Sequence, residues 1–124
     1  MTTAQLLIDE LRARHQTIAF CESLTAGLVS ATLADVPGAS DVLVGGLVTY
    51  SPELKTALAD VPEELIEREG VVSAAVAREM ARGARRVCGS DWAVALTGVA
   101  GPDAPDGVPA GTVWIGLALS LIHI

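Results

Sequence analysis

The chain has 124 residues, of which 51% are hydrophobic and 19% charged, which suits one folded domain and excludes a disordered tail. Aromatic residues make up only 3%, so Val, Leu, Ile and Ala have to fill the core. Eight basic residues against fifteen acidic ones leave a net charge of −7, which makes a poor general binder of phosphate backbones and argues against a nucleic-acid partner, while a small anionic ligand held by backbone N–H groups stays open.

Residues 4–15 predict an amphipathic helix with Leu6, Leu7, Ile8 and Leu11 on its apolar side. Residues 17–21 form a short apolar run, which predicts a buried strand. Glu22-Ser23-Leu24-Thr25-Ala26-Gly27 follows as a turn, then a helix of small apolar residues that Pro37-Gly38 stops. Residues 42–50, rich in Val and Gly, predict a second strand. Ser51-Pro52-Glu53 reads as a helix start, with serine as cap and proline at the first helical position. Val61-Pro62-Glu63-Glu64 opens a short helix to Glu69, and Ser73 caps a long one ending near Cys88-Gly89. Residues 92–97 predict a third strand, 98–110 a Gly/Pro/Asp loop, and 111–119 a fourth strand. This alternation predicts a layered α/β/α domain with a mostly parallel central sheet, the first three strands parallel. No repeat and no linker divides the chain, so residues 1–124 read as one domain.

Cys21 and Cys88 are the two cysteines and make no Cys-x-x-Cys, which argues against a disulfide scaffold and a structural zinc site. No basic-then-apolar segment opens the chain, and no apolar stretch approaches the ~20 residues of a membrane span. The expectation is a soluble cytoplasmic domain without a membrane partner.

Ligands of open parallel sheets bind at the carboxyl ends of the strands. Glu22, Ser23 and Thr25 follow the first strand, Tyr50 the second with Lys55 one turn into the next helix, and Thr97 and Gly98 the third. Ser23, Tyr50, Lys55 and Thr97 are therefore expected on one rim. Lys55 is the sole lysine and Tyr50 the sole tyrosine. A single lysine in an Arg-rich chain can be a residue of composition. It can also mark a site where arginine will not serve, because lysine loses its proton when desolvated and arginine effectively does not. Lysine beside a serine hydroxyl can act as general base, with tyrosine as relay. A Ser–His–Asp triad is disfavoured: His15 precedes the first strand and His123 lies in the tail. The turn from Ser23 to Gly27 opens a helix, so its N–H groups could hold an oxyanion or a phosphate, or serve only as an ordinary cap. The loop after Gly98 is long enough to be functional, or is a wide hairpin connection. Arg78, Arg82, Arg85 and Arg86 share one helical side and read as a solvated face or as a partner contact.

Five stretches in register are similar to one family. They are Phe20-Cys21-Glu22-Ser23-Leu24-Thr25-Ala26-Gly27, Val36-Pro37-Gly38-Ala39-Ser40-Asp41, Gly45-Gly46-Leu47-Val48-Thr49-Tyr50-Ser51-Pro52-Glu53-Leu54-Lys55, Gly70-Val71-Val72-Ser73 and Leu96-Thr97-Gly98-Val99-Ala100-Gly101-Pro102. Together they resemble the CinA C-terminal domain family, the nicotinamide-nucleotide amidohydrolases, from about residue 4 to residue 118. The resemblance implies hydrolysis of the carboxamide of nicotinamide mononucleotide to nicotinic acid mononucleotide and ammonia, in pyridine-nucleotide salvage. It implies serine, lysine and tyrosine as the machinery, no metal and no cofactor, and a homo-oligomer such as a dimer. It carries Ser23, Ser40, Tyr50 and Lys55 as catalytic candidates, and Glu22, Thr25, Gly27, Gly46, Thr97, Gly98 and Gly101 as substrate-binding candidates. Both serines remain open as nucleophile. Ser40 precedes the second strand, about 25 Å from Tyr50 along an extended chain at ~3.3 Å per residue, which favours Ser23 unless the chain bends or a second subunit supplies Ser40.

Two departures stand out. Ala26 occupies a position where the family usually has glycine. Residues 120–124 do not resemble the family, which continues with a further strand and a final helix. They resemble translated sequencing-adapter sequence on a C-terminally truncated reading frame, an expectation that a native stop codon after Ile124 would refute. Two rival functions remain beside the amidohydrolase: a non-catalytic nucleotide-binding module, and a self-assembling domain.

Overall fold

The computed structural model describes residues 1–120, without the side chain of Pro105; His123 and most of the adapter-like tail lie outside the described residues. Four strands form one sheet in the order β2-β1-β3-β4. They are β1 (Ile18–Glu22), β2 (Leu43–Val48), β3 (Trp92–Gly98) and β4 (Val113–Leu119). β1 is parallel to both β2 and β3, so the first three strands run one way as the alternation predicts. β4 returns antiparallel along β3, pairing Gly98 with Val113 and Trp92 with Leu119. The loop at 98–110 is therefore the connection of a wide hairpin.

Five helices complete the layers: α1 (Thr3–Arg14), α2 (Leu28–Ala34), α3 (Pro52–Ala59), α4 (Glu63–Glu69) and α5 (Ala74–Cys88). The hydroxyls of Thr2, Ser51 and Ser73 accept the N–H of Gln5, Leu54 and Val76, each satisfying a donor that the first turn leaves open. Ile8, Leu11 and Leu33 pack on Ile18 and Phe20, which puts α1 and α2 on one face of the sheet. Ala59, Val61, Val76, Met80, Ala81 and Ala84 pack on Cys21, Ala93 and Ala95, which puts α3 and α5 on the other. The layered α/β/α reading thus holds.

The shortage of aromatic residues has a structural counterpart on the α5 face. A Cβ on Gly83 would run into the Ala59 carbonyl, and one on Gly116 into the Ala77 carbonyl. Only small residues let α5 sit this close to α3 and β4, and close-packed interiors do not absorb an extra methyl there. That contact also fixes α3, which carries Lys55. No described helix is long and apolar enough to cross a membrane.

Candidate functional site

β1 ends at Glu22, level with Val48 of β2 and Leu96 of β3, so the chain segments leaving these strands meet at one rim. Ser23 is held there by its N–H, which donates to the Leu96 carbonyl at 3.0 Å. Thr49 continues the ladder on the other side, donating to the Glu22 carbonyl at 2.8 Å. Lys55 reaches the same point from α3. Its Nζ lies 2.8 Å from Ser23 Oγ, 2.6 Å from the Thr49 carbonyl and 3.3 Å from the Tyr50 carbonyl. The lysine is wholly buried and Ser23 is 7% exposed.

These three contacts define what the amine can do. As an ammonium it donates to all three oxygens. As a neutral amine it keeps two protons on the two carbonyls and turns its lone pair to the serine hydroxyl. Burial pulls the Lys55 amine below its ordinary value and outweighs the opposing influences of Cys21 and Glu53. Among the described residues, no carboxylate forms an ion pair with this amine. The arrangement fits a general base on a hydroxyl nucleophile.

Ser23 and Tyr50 open onto a cleft of about 470 Å³, walled by Leu24, Val71, Val72 and the segment from Gly98 to Gly101. Its charged lining residues are Glu69, Asp103 and Asp106, all acidic. Among the described residues, no group of three His, Cys, Asp or Glu side chains could hold a metal ion.

Several expected site residues have other work. Glu22 is wholly buried, and its carboxylate accepts the N–H groups of Gly27, Val29 and Ser30 and the Ser30 hydroxyl. It is the anion of the α2 N-terminus, so those N–H groups are not open to a phosphate, and Glu22 does not line the cleft described above. Burial alone would raise its pKa; the hydrogen bonds from Ser30 and its neighbours outweigh burial and hold it below the ordinary carboxylate value. Thr25 Oγ1 is buried next to this carboxylate, near enough to favour its charge but without a partner in hydrogen-bonding geometry. Gly27 has φ +103°, a conformation that favours glycine, and it caps α2. Gly46 lies inside β2, where a Cβ would stand 2.5 Å from Ser30 Oγ; it serves the approach of α2. Thr97 is wholly buried and donates to the Val71 carbonyl at 3.1 Å, tying the 70–72 segment to β3. Gly98 and Gly101 do line the cleft.

Tyr50 meets the lysine by its main chain; its phenol makes no hydrogen bond to Lys55 or Ser23, and the residue is 69% exposed. Successive side chains of an extended segment alternate, so Thr49 faces inward and Tyr50 outward. A phenolic relay is therefore replaced by a carbonyl acceptor and a ring at the mouth of the cleft. Ser40 sits in a 3₁₀ turn (Ala39–Asp41) before β2, whose Leu43 pairs with Ile18 at the start of β1. Within one chain it lies at the rim opposite Ser23 and Lys55. Thr49 and Val71 were not among the expected residues; the inward phase of Thr49 beside Tyr50 is the signal that could have found it.

A profile of the CinA C-terminal domain matches residues 1–121. The chain belongs to the CinA family. A CinA-like protein of Synechococcus is 50% identical over 116 residues, 93% of this chain and 28% of that protein. The chain thus spans little more than a quarter of this curated relative. Among solved structures, a CinA superfamily protein of Escherichia coli superposes with a TM-score of 0.91 at 32% identity, covering 94% of this chain and 69% of that one. A competence/damage inducible protein of Agrobacterium tumefaciens gives a TM-score of 0.90 at 32% identity, covering 94% and 71%.

Proposed function

We propose that this CinA-family chain is a serine/lysine amidohydrolase that cleaves the carboxamide of nicotinamide mononucleotide. The observation that carries the reading is the 2.8 Å approach of Lys55 Nζ to Ser23 Oγ, in a buried setting that favours the neutral amine. Lys55 takes the hydroxyl proton as Ser23 Oγ attacks the amide carbon. The N–H of Leu24, next in the turn, is the backbone donor offered to the oxyanion. Collapse of the tetrahedral species passes the proton from Lys55 to the leaving nitrogen and releases ammonia, leaving an ester on Ser23. Water, deprotonated by the same amine, hydrolyses the ester to nicotinic acid mononucleotide and restores the hydroxyl.

The acidic cleft wall fits the ring end of this substrate. The pyridinium is a cation, of opposite charge to Glu69, Asp103 and Asp106 on that wall. The α2 N-terminus, occupied by Glu22, is not a phosphate site. Ammonia release from nicotinamide mononucleotide tests the reading. The wild-type chain is expected to release it and Lys55→Ala is not. Binding of the nucleotide by the wild-type chain without ammonia release would instead make the chain a nucleotide-binding module.

A further inference from the structure

Beneath the dyad lie two wholly buried groups to which the mechanism gives no role, Cys21 and the side chain of Thr49. The Thr49 hydroxyl and Cys21 Sγ are 3.4 Å apart, a hydrogen bond in which sulfur is one partner. Thr49 is held twice: its N–H by the Glu22 carbonyl at 2.8 Å, its hydroxyl by the thiol. Two anchors on one residue fix the rotation of its peptide. Its carbonyl consequently faces the interior and takes the shortest of the three Lys55 contacts, 2.6 Å. Thr49 stands between the end of β2 and Ser51, the cap of α3. A carbonyl at such a strand-to-helix junction would otherwise be free to turn toward water.

We propose that Thr49 is a positioning residue for Lys55, with Cys21 as its anchor: the thiol–hydroxyl contact orients the Thr49 carbonyl, and that carbonyl aims the amine at Ser23. The catalytic consequence rests on the amidohydrolase reading; the orienting contact does not. Burial pushes the Cys21 thiol above its ordinary value, so it stays an uncharged partner and does not form a thiolate–ammonium pair with the lysine. The amine contacts Ser23 and the two carbonyls, with the Cys21 thiol and the Glu53 carboxylate near enough to act on it electrostatically.

Lys55 is the only lysine in the chain. Isotope labelling of lysine at Cε therefore gives a single labelled methylene, which reports this side chain by NMR whether or not the chain turns over substrate. In the wild type the two ε-methylene protons are expected to be inequivalent, as in an immobilised side chain. Thr49→Val, which keeps the volume and loses the hydroxyl, should merge them; Thr49→Ser should keep them apart. Cys21→Ala should behave like Thr49→Val, and it decides the matter if Thr49→Val does not fold. In turnover, Thr49→Val should lower kcat about tenfold with KM within about twofold, and Thr49→Ser should restore it. Persistent inequivalence in folded Thr49→Val or Cys21→Ala overturns the inference, even if the wild type is active. Loosening of Lys55 in a series where no protein releases ammonia supports the inference and overturns the amidohydrolase reading.

Discussion

Glu22 and Lys55 stand on either side of the same chain segment, both wholly buried, and their surroundings treat them in opposite ways. On the α2 side, Glu22 receives three backbone N–H groups and one hydroxyl, so its charge is satisfied and its carboxylate is a structural element. On the α3 side, Lys55 meets only uncharged oxygens, so its charge is costly and its neutral form is favoured. Burial acts against the charged form of both groups; the supply of partners decides which keeps its charge as scaffold and which, in the proposed function, serves as reagent.

Four experiments, the first with Ser40→Ala as its control, would break or sharpen this contrast. Lys55→Met should lower ammonia release by about 10³-fold or more while the chain still folds, because a reagent has been removed. Ser40→Ala, at the far rim, should stay within about threefold in the same assay. Glu22→Gln should do the reverse. Losing the charge-assisted bonds at the α2 N-terminus should cost about 2–3 kcal/mol, read as a lowered denaturation midpoint. Equal stability of Glu22→Gln and wild type would remove the scaffold half of the comparison.

The third experiment is a pH series. The folded chain holds Lys55 below its ordinary pKa, so between that lowered value and the unfolded value of about 10.4 the unfolded chain binds more protons. Wild-type stability relative to Lys55→Met should therefore rise with pH through that window, by at most about 1.4 kcal/mol per pH unit, and level off above it. A relative stability that falls with pH would mean that a negative partner holds the ammonium. The smallest effect is expected at Ala26, whose φ of +51° lies in the left-handed region. Ala26→Gly should stabilise the chain by about 1 kcal/mol in a denaturant titration, through relief of strain and without a change at the dyad.

Much of the rim was legible before any coordinates. The apolar run at 17–21 and the Val/Gly run at 42–50 predict adjacent parallel strands, and the cap signal Ser51-Pro52 places Lys55 one turn into a helix beside their ends. That is enough to bring Ser23 and Lys55 to one edge, since element type and rim depend on local pattern. The roles of Glu22, Gly46 and Thr97 were not legible. A carboxylate after a strand reads alike whether it meets substrate or a helix N-terminus, and only the seating of α2 distinguishes the two. Gly46 reads as a ligand glycine until Ser30 is found where its Cβ would stand. Tyr50 reads as a relay until the phase of the chain turns its ring outward and its carbonyl inward.

What the residue order determined by itself is the alternation of elements, the capped starts of α3 and α5, the small-residue core and the presence of one lysine on the reactive edge. All of these follow from short-range periodicity and residue chemistry. What only the tertiary structure decided is the strand order, the antiparallel return of β4, the satisfaction of Glu22 and the two carbonyls that receive Lys55. The sheet ties join groups far apart in sequence, as Thr97 meets Val71 and Thr17 meets Asp91. The partners of Glu22 and the two carbonyls that receive Lys55 are near in sequence, and the seating of α2 and α3 on the sheet decides which of them are met.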